Sequence, residues 1–208
     1  MKRIHENLKR EPFRKLLRYY NKQCDLDLEN CKFFNEKSSV ITIIGSQVKH
    51  SDLEFISLGA YAFDTQFTGH EMLFECTKDI LNDKKGFELA KSLISKIASA
   101  KRINELLNAY NYFYFDDEEI EKHFGYAGGG FWPCGEMYLK ETNRKIWLER
   151  IVFLVKEDLE YLDSLNGDFS AISDYIDAKV DEGNGNIYLN VKDRVNLNNA
   201  ISKYNNME

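Results

Sequence analysis

The chain has 208 residues, 43% of them hydrophobic and 30% charged, with a net charge of −6. That length and apolar content allow a buried core without disulfides or metals, and exclude a disordered, collagen-like or disulfide-framed chain. The 4 Cys are scattered (Cys24, Cys31, Cys76, Cys134), no stretch approaches the roughly 18 apolar residues of a membrane helix, and Met1–Asn7 lacks a secretory apolar run, so the expectation is a cytoplasmic protein with reduced thiols and no membrane association.

In chain order, Phe13, Leu16, Leu17, Tyr20 and Cys24 recur on one helical face behind Pro12, which predicts an amphipathic helix over about 12 to 24. Val40 to Ile44, closed by Gly45, reads as a buried strand, and Glu54–Phe63 and Glu71–Thr77 as two adjacent antiparallel strands. The stripe Phe87, Ala90, Leu93, Ile94, Ile97 and its offset continuation Ile103, Leu106, Leu107, Tyr110 predict one long helix from Gly86 to Tyr110 with a break near Ser99.

Tyr112–Phe115 then reads as a strand, and Asp116 as the cap of a short acidic helix. Gly128-Gly129-Gly130 within 125–135 predicts a flexible loop bearing Phe131 and Trp132, ahead of strands at Glu136–Lys140 and Trp147–Val155. Helices follow at Asp158–Leu165 and Asp168–Val180, then a turn at Gly183–Asn186, a strand at Ile187–Val191 and a closing helix over Val195–Tyr204. With no Pro-rich linker and no internal repeat, the expectation is one α+β domain over 1–208: a central, mostly antiparallel sheet, a long central helix, and flanking N- and C-terminal helices.

Tests for chemistry return no site. A Walker A or Rossmann loop needs residues that are missing around Gly128–Gly130. Cys24 and Cys31 lack tight zinc spacing, and in a strand His70 and Cys76 lie about 20 Å apart, so no metal or cofactor is expected. Asp181–Asn186 lacks the ligand spacing and closing Glu of a calcium loop. Cys134 is the best available nucleophile, with His123 or His70 as its base; that pairing keeps a small hydrolase or transferase as the alternative to a binding protein.

Charge is distributed unevenly. Residues 1–22 hold eight Lys or Arg and two acids, whereas 157–182 hold nine acids and Lys179 alone. The acidic balance of the rest of the chain disfavours nucleic acid and favours a basic protein partner. Candidate contacts on this reading are Asp158, Glu160, Asp163, Asp174 and Asp177, with Tyr126, Phe131 and Trp132 as aromatic anchors. A third reading gives the aromatic loop to self-association.

Leu53-Glu54-Phe55-Ile56-Ser57-Leu58-Gly59-Ala60-Tyr61, then His70-Glu71-Met72-Leu73-Phe74-Glu75, then the helix from Phe87 through Ile97 resemble bacterial suppressor-of-fused-like proteins over about residues 53–100. The resemblance implies an α+β binding module without catalysis, used by bacterial members as an immunity protein against a cognate toxin. Combined with the acidic surplus, it leads to the expectation of an immunity protein that blocks a basic toxin such as a nuclease.

Overall fold

A computed structural model describes residues 11–23, 32–35, 41–46, 53–58, 68–102, 112–115, 117–140 and 143–165. The elements expected after residue 165, and the continuation of the long helix past 102, lie outside these residues. The chain gathers into two compact units, Met1–Leu107 with Pro133–Arg150, and Asn108–Trp132 with Ile151–Glu208.

The first unit opens with α1 (Glu11–Gln23), whose predicted apolar face buries Leu16 and Tyr20 while Arg14, Arg18 and Lys22 stay exposed. The Tyr19 hydroxyl closes over Gly135, where a Cβ would lie 2.3 Å from it, so a larger residue there would have to turn the Tyr19 side chain aside. Next come β1 (Lys32–Asn35), β2 (Ile41–Ser46), β3 (Leu53–Leu58) and β4 (Thr68–Cys76), each antiparallel to the one before, with Phe33 opposite Ile43, Ile43 opposite Ile56 and Phe55 opposite Phe74.

A single 3-10 turn (Lys78–Asn82) leads to α2 (Lys84–Arg102). The Asp83 carboxylate starts α2 by accepting from the amides of Lys85 and Gly86, both at 3.1 Å. Leu89, Ala90, Leu93, Ile94 and Ile97 are buried and the helix packs on β2, β3 and β4. Burial of each large side chain in that stripe stabilises the fold by about 1.5–3 kcal/mol. The expected break near Ser99 is absent; α2 runs unbroken to Arg102.

β4 pairs in parallel with β7 (Arg144–Leu154), from Thr68 opposite Lys145 to Leu73 opposite Arg150. Parallel neighbours need a long crossover, which the chain between 77 and 143 supplies. With β5 at Tyr112–Tyr114 and β6 at Gly128–Leu139, the strands hydrogen-bond in the order β1-β2-β3-β4-β7-β6-β5. The fold is therefore α+β with a mostly antiparallel sheet. Its central strand β4 is buried continuously from Gly69 to Cys76, without the alternation of a half-exposed strand.

The second unit holds β5 (Tyr112–Tyr114), α3 (Glu118–Phe124), the first residues of β6 (Gly128–Leu139), the last of β7, and α4 (Lys156–Ser164). Asp117, one residue later than expected, caps α3 by accepting from Glu119 N (3.0 Å) and Ile120 N (3.4 Å). Gly125 ends α3 in the left-handed conformation, φ 74°.

The predicted glycine loop is a strand. Tyr112, Phe113 and Tyr114 pair with Gly130, Gly129 and Gly128. A Cβ at Gly128 would sit 2.1 Å from the Phe113 carbonyl oxygen, and one at Gly129 2.9 Å from that of Val152. The glycines therefore permit close backbone approach inside a sheet rather than looseness in a loop. Around them, Ala127, Val152, Leu154, Leu159 and Leu162 form an apolar cluster, and Phe113 and Phe131 meet at 5.0 Å between ring centroids.

Candidate protein-interaction surface

Side chains raised by the search for chemistry hold structural partners. Cys134, on β6, donates its thiol to the Leu148 carbonyl at 3.3 Å, and His123 sits edge-on to Phe124. In the first unit, His70 Nδ1 donates to the buried Glu149 carboxylate at 2.8 Å, and Arg150 Nη2 to Glu75 at 3.0 Å. These bonds join β4 to β7, satisfying polar groups that the central strands would otherwise bury unpaired. Among the described residues, no group of His, Cys, Asp and Glu is arranged to hold a metal.

The second unit presents a different arrangement. The sequence Tyr112-Phe113-Tyr114 alternates along β5, so Phe113 turns into the core while Tyr114 is 49% exposed and Tyr112 half-buried. Both phenols donate to one carboxylate on the last turn of α4. Tyr112 Oη bonds Asp163 Oδ1, and Tyr114 Oη bonds Asp163 Oδ2 at 2.6 Å. The two rings stand edge to face with centroids 6.5 Å apart.

This geometry shifts all three titrations. The hydrogen bond to Asp163, helped by partial burial and by its negative charge, pushes each tyrosine up to about 12. The two donated hydroxyls hold Asp163 below the ordinary carboxylate range. Asp163 is thus an ionised, positioned carboxylate at the surface, flanked by aromatic rings.

Glu157 and Glu160 are exposed on the same helix, and Trp132 and Tyr161 lie half-buried against the apolar cluster beneath. An open groove of about 640 Å³ adds Glu118 and Glu121 of α3, with Lys122 and Lys156 on its wall. By sequence, the second unit holds 16 acids and 6 bases, a net of −10, and the first 18 acids and 22 bases, a net of +4. The asymmetry read along the sequence is an asymmetry between two compact bodies.

Of the predicted contact residues, Glu160, Asp163 and Trp132 fall in this unit with accessible side chains. Three others do not reach the surface. Asp158 is 3% exposed and its carboxylate accepts from Val155 N at 3.2 Å, tying down the first turn of α4. Tyr126 (2%) and Phe131 (0%) are core rings, against Phe153 and Phe113 respectively, because the glycine strand draws its flanks inward. Asp174 and Asp177 lie outside the described residues.

Sequence reasoning missed Tyr112 and Tyr114. Their signal was the Tyr-Phe-Tyr-Phe alternation, which sets both phenols on one face of a strand.

No family model matches the sequence, and no curated protein matches it. Among solved structures, the chain matches one from the crystal structure of the Sufu-Fu complex with a TM-score of 0.65 and 9% identity, over 93% of each chain. This chain accordingly has a Sufu-like fold.

Proposed function

We propose that this chain is a non-catalytic binding protein whose acidic unit engages a basic protein partner, and that the partner is a toxin, such as a nuclease, which the chain neutralises. The observation that carries the reading is the surface of the second unit: exposed carboxylates beside the half-exposed Tyr114, on a body of net charge −10. Such a potential accelerates encounter with a positively charged surface and rejects anions. Exposed aromatic rings supply the contact area that charge alone lacks. The fold's appearance in a structure of a two-protein complex is consistent with a binding role.

The test begins with affinity capture from the native cell and identification of the bound protein. Association is then measured for the wild type and for the triple variant Glu157→Lys, Glu160→Lys, Asp163→Lys. The reading expects a basic partner whose association rate falls about tenfold or more in the variant and also falls with added salt. A partner that is acidic, or indifferent to both changes, refutes the electrostatic mechanism. Co-expression decides the immunity role: a toxic partner whose growth arrest is not relieved by this chain removes it.

A further inference from the structure

The Asp163 carboxylate differs from the other exposed acids of α4. Each of its oxygens accepts one tyrosine hydroxyl, from Tyr112 on one side and Tyr114 on the other. Those two bonds fix the plane and rotation of the carboxylate, where an ordinary surface aspartate turns freely. A carboxylate oxygen carries two lone pairs, so one remains on each oxygen after the phenols are satisfied. Two acceptors at the spacing of a carboxylate match the two parallel N–H groups of a guanidinium fork. An ammonium offers a point charge without that planar match.

The surroundings favour the same ligand. Tyr114 is 49% exposed and stands edge to face with Tyr112, which leaves part of its ring accessible to a planar cation. Glu160 lies near enough to act electrostatically on the Tyr114 phenol, adding a second negative charge beside the pair. The unit as a whole, at net −10, draws cations toward it.

We propose that Tyr112, Asp163 and Tyr114 form an arginine-selective recognition site, in which a guanidinium of the basic partner docks on the Asp163 carboxylate and stacks on Tyr114. This rests on the binding role proposed above and adds to it a chemical specificity, arginine over lysine. The tyrosines position the carboxylate and Asp163 makes the ionic contact.

Two peptides serve as probes, Gly-Ser-Arg-Gly-Arg-Ser-Gly and the same sequence with Lys in place of both Arg, titrated into the full chain carrying isotope-labelled tyrosine. The ring signals of Tyr112 and Tyr114 are assigned by their loss in Tyr112→Phe and Tyr114→Phe. The expected result is that both signals move and that the arginine peptide binds about tenfold more tightly than the lysine peptide at physiological salt. Asp163→Asn brings that ratio to about one, whereas Glu160→Gln weakens both peptides alike and leaves the ratio intact.

Amide spectra establish that each variant is folded. Tyr114→Phe, which keeps the ring and loses the donor, gives an intermediate ratio. Equal affinities in the wild type, or a preference that survives Asp163→Asn, overturns the site. Self-association of the chain alone, seen by sedimentation and abolished by Asp163→Asn, assigns the site to a second copy and likewise overturns it. If the captured partner binds through the acidic unit without discriminating its own arginine-to-lysine variants, this inference fails while the binding role stands.

Discussion

Replacing Gly128 by alanine tests how closely β5 lies on β6. A Cβ at that position would meet the Phe113 carbonyl oxygen at 2.1 Å and Leu159 Cδ1 at 3.0 Å. Carbon and carbonyl oxygen rest at about 3.3–3.6 Å, so β5 must retreat by about 1 Å or more. The obstacle is backbone and no rotamer change relieves it. Overpacking of this kind costs about 1–3 kcal/mol, and straining the β5–β6 ladder about 1 kcal/mol more. Reduced freedom of the unfolded chain returns about 0.4–1 kcal/mol. The net expectation is a loss of about 2–3 kcal/mol, which at a urea slope of about 2 kcal/mol/M lowers the midpoint by roughly 1–1.5 M. Urea unfolding followed by intrinsic fluorescence measures it. A midpoint within about 0.3 M of wild type, at unchanged slope, would refute the close approach and the reading of the glycine run as a strand.

Two further outcomes follow from the same unit. In a tyrosinate titration of the folded protein followed near 295 nm, Asp163→Asn should return Tyr112 and Tyr114 from about 12 toward 10, so that near pH 11 the variant shows up to about 1.6 more ionised phenols among its 12 Tyr than the wild type. The sign is fixed by linkage: raised tyrosines contribute stability that is fully present below their unfolded value near 10 and lost as pH rises through 12, while the lowered Asp163 contributes stability present above its unfolded value and lost as pH falls through the folded one. Coincident titrations of the two proteins would show that the phenols do not bond Asp163. Phe131→Ala should cost about 3–5 kcal/mol in urea unfolding and leave the partner affinity of the folded protein unchanged; lost affinity at full stability would make Phe131 a surface anchor instead.

Much of the architecture follows from periodicity. The spacing of Leu16 and Tyr20 behind Pro12 placed α1 within a residue at each end, and the stripe from Ala90 to Ile97 found α2 and the face it buries. The antiparallel pairing of β3 with β4 was legible from two apolar runs and the polar stretch between them. Failures arose where one residue type serves two physical purposes. Glycine in series signals freedom in a loop and equally serves close approach in a sheet; only the presence of β5 opposite Gly128–Gly130 decides. An aspartate in an acidic stretch reads as solvated, yet Asp158, at the third position of α4, turns inward to the Val155 amide while Glu157 and Glu160 on either side face water. β1, of four residues, is too short for a periodic signal.

The candidate surface was legible as charge but not as geometry. Glu160 and Asp163 stood out within an acidic run, whereas the phenols that hold Asp163 lie about fifty positions earlier in the chain, |i−j| of 51 and 49, and nothing local announces that pairing.

The pairing of β5 with glycines has an evolutionary consequence. Tyr112 and Tyr114 face Gly130 and Gly128 across the ladder, so neither phenol has a cross-strand side chain to accommodate. Ordinarily an exchange on one strand is felt by its neighbour on the next. Here position 114, half exposed, stands before a blank wall and is open to change, while Tyr112, packed against the apolar cluster, and the hidden Phe113 keep the strand in place. A lineage pressed to track a changing partner would find in this short strand a place where recognition drifts at little cost to folding.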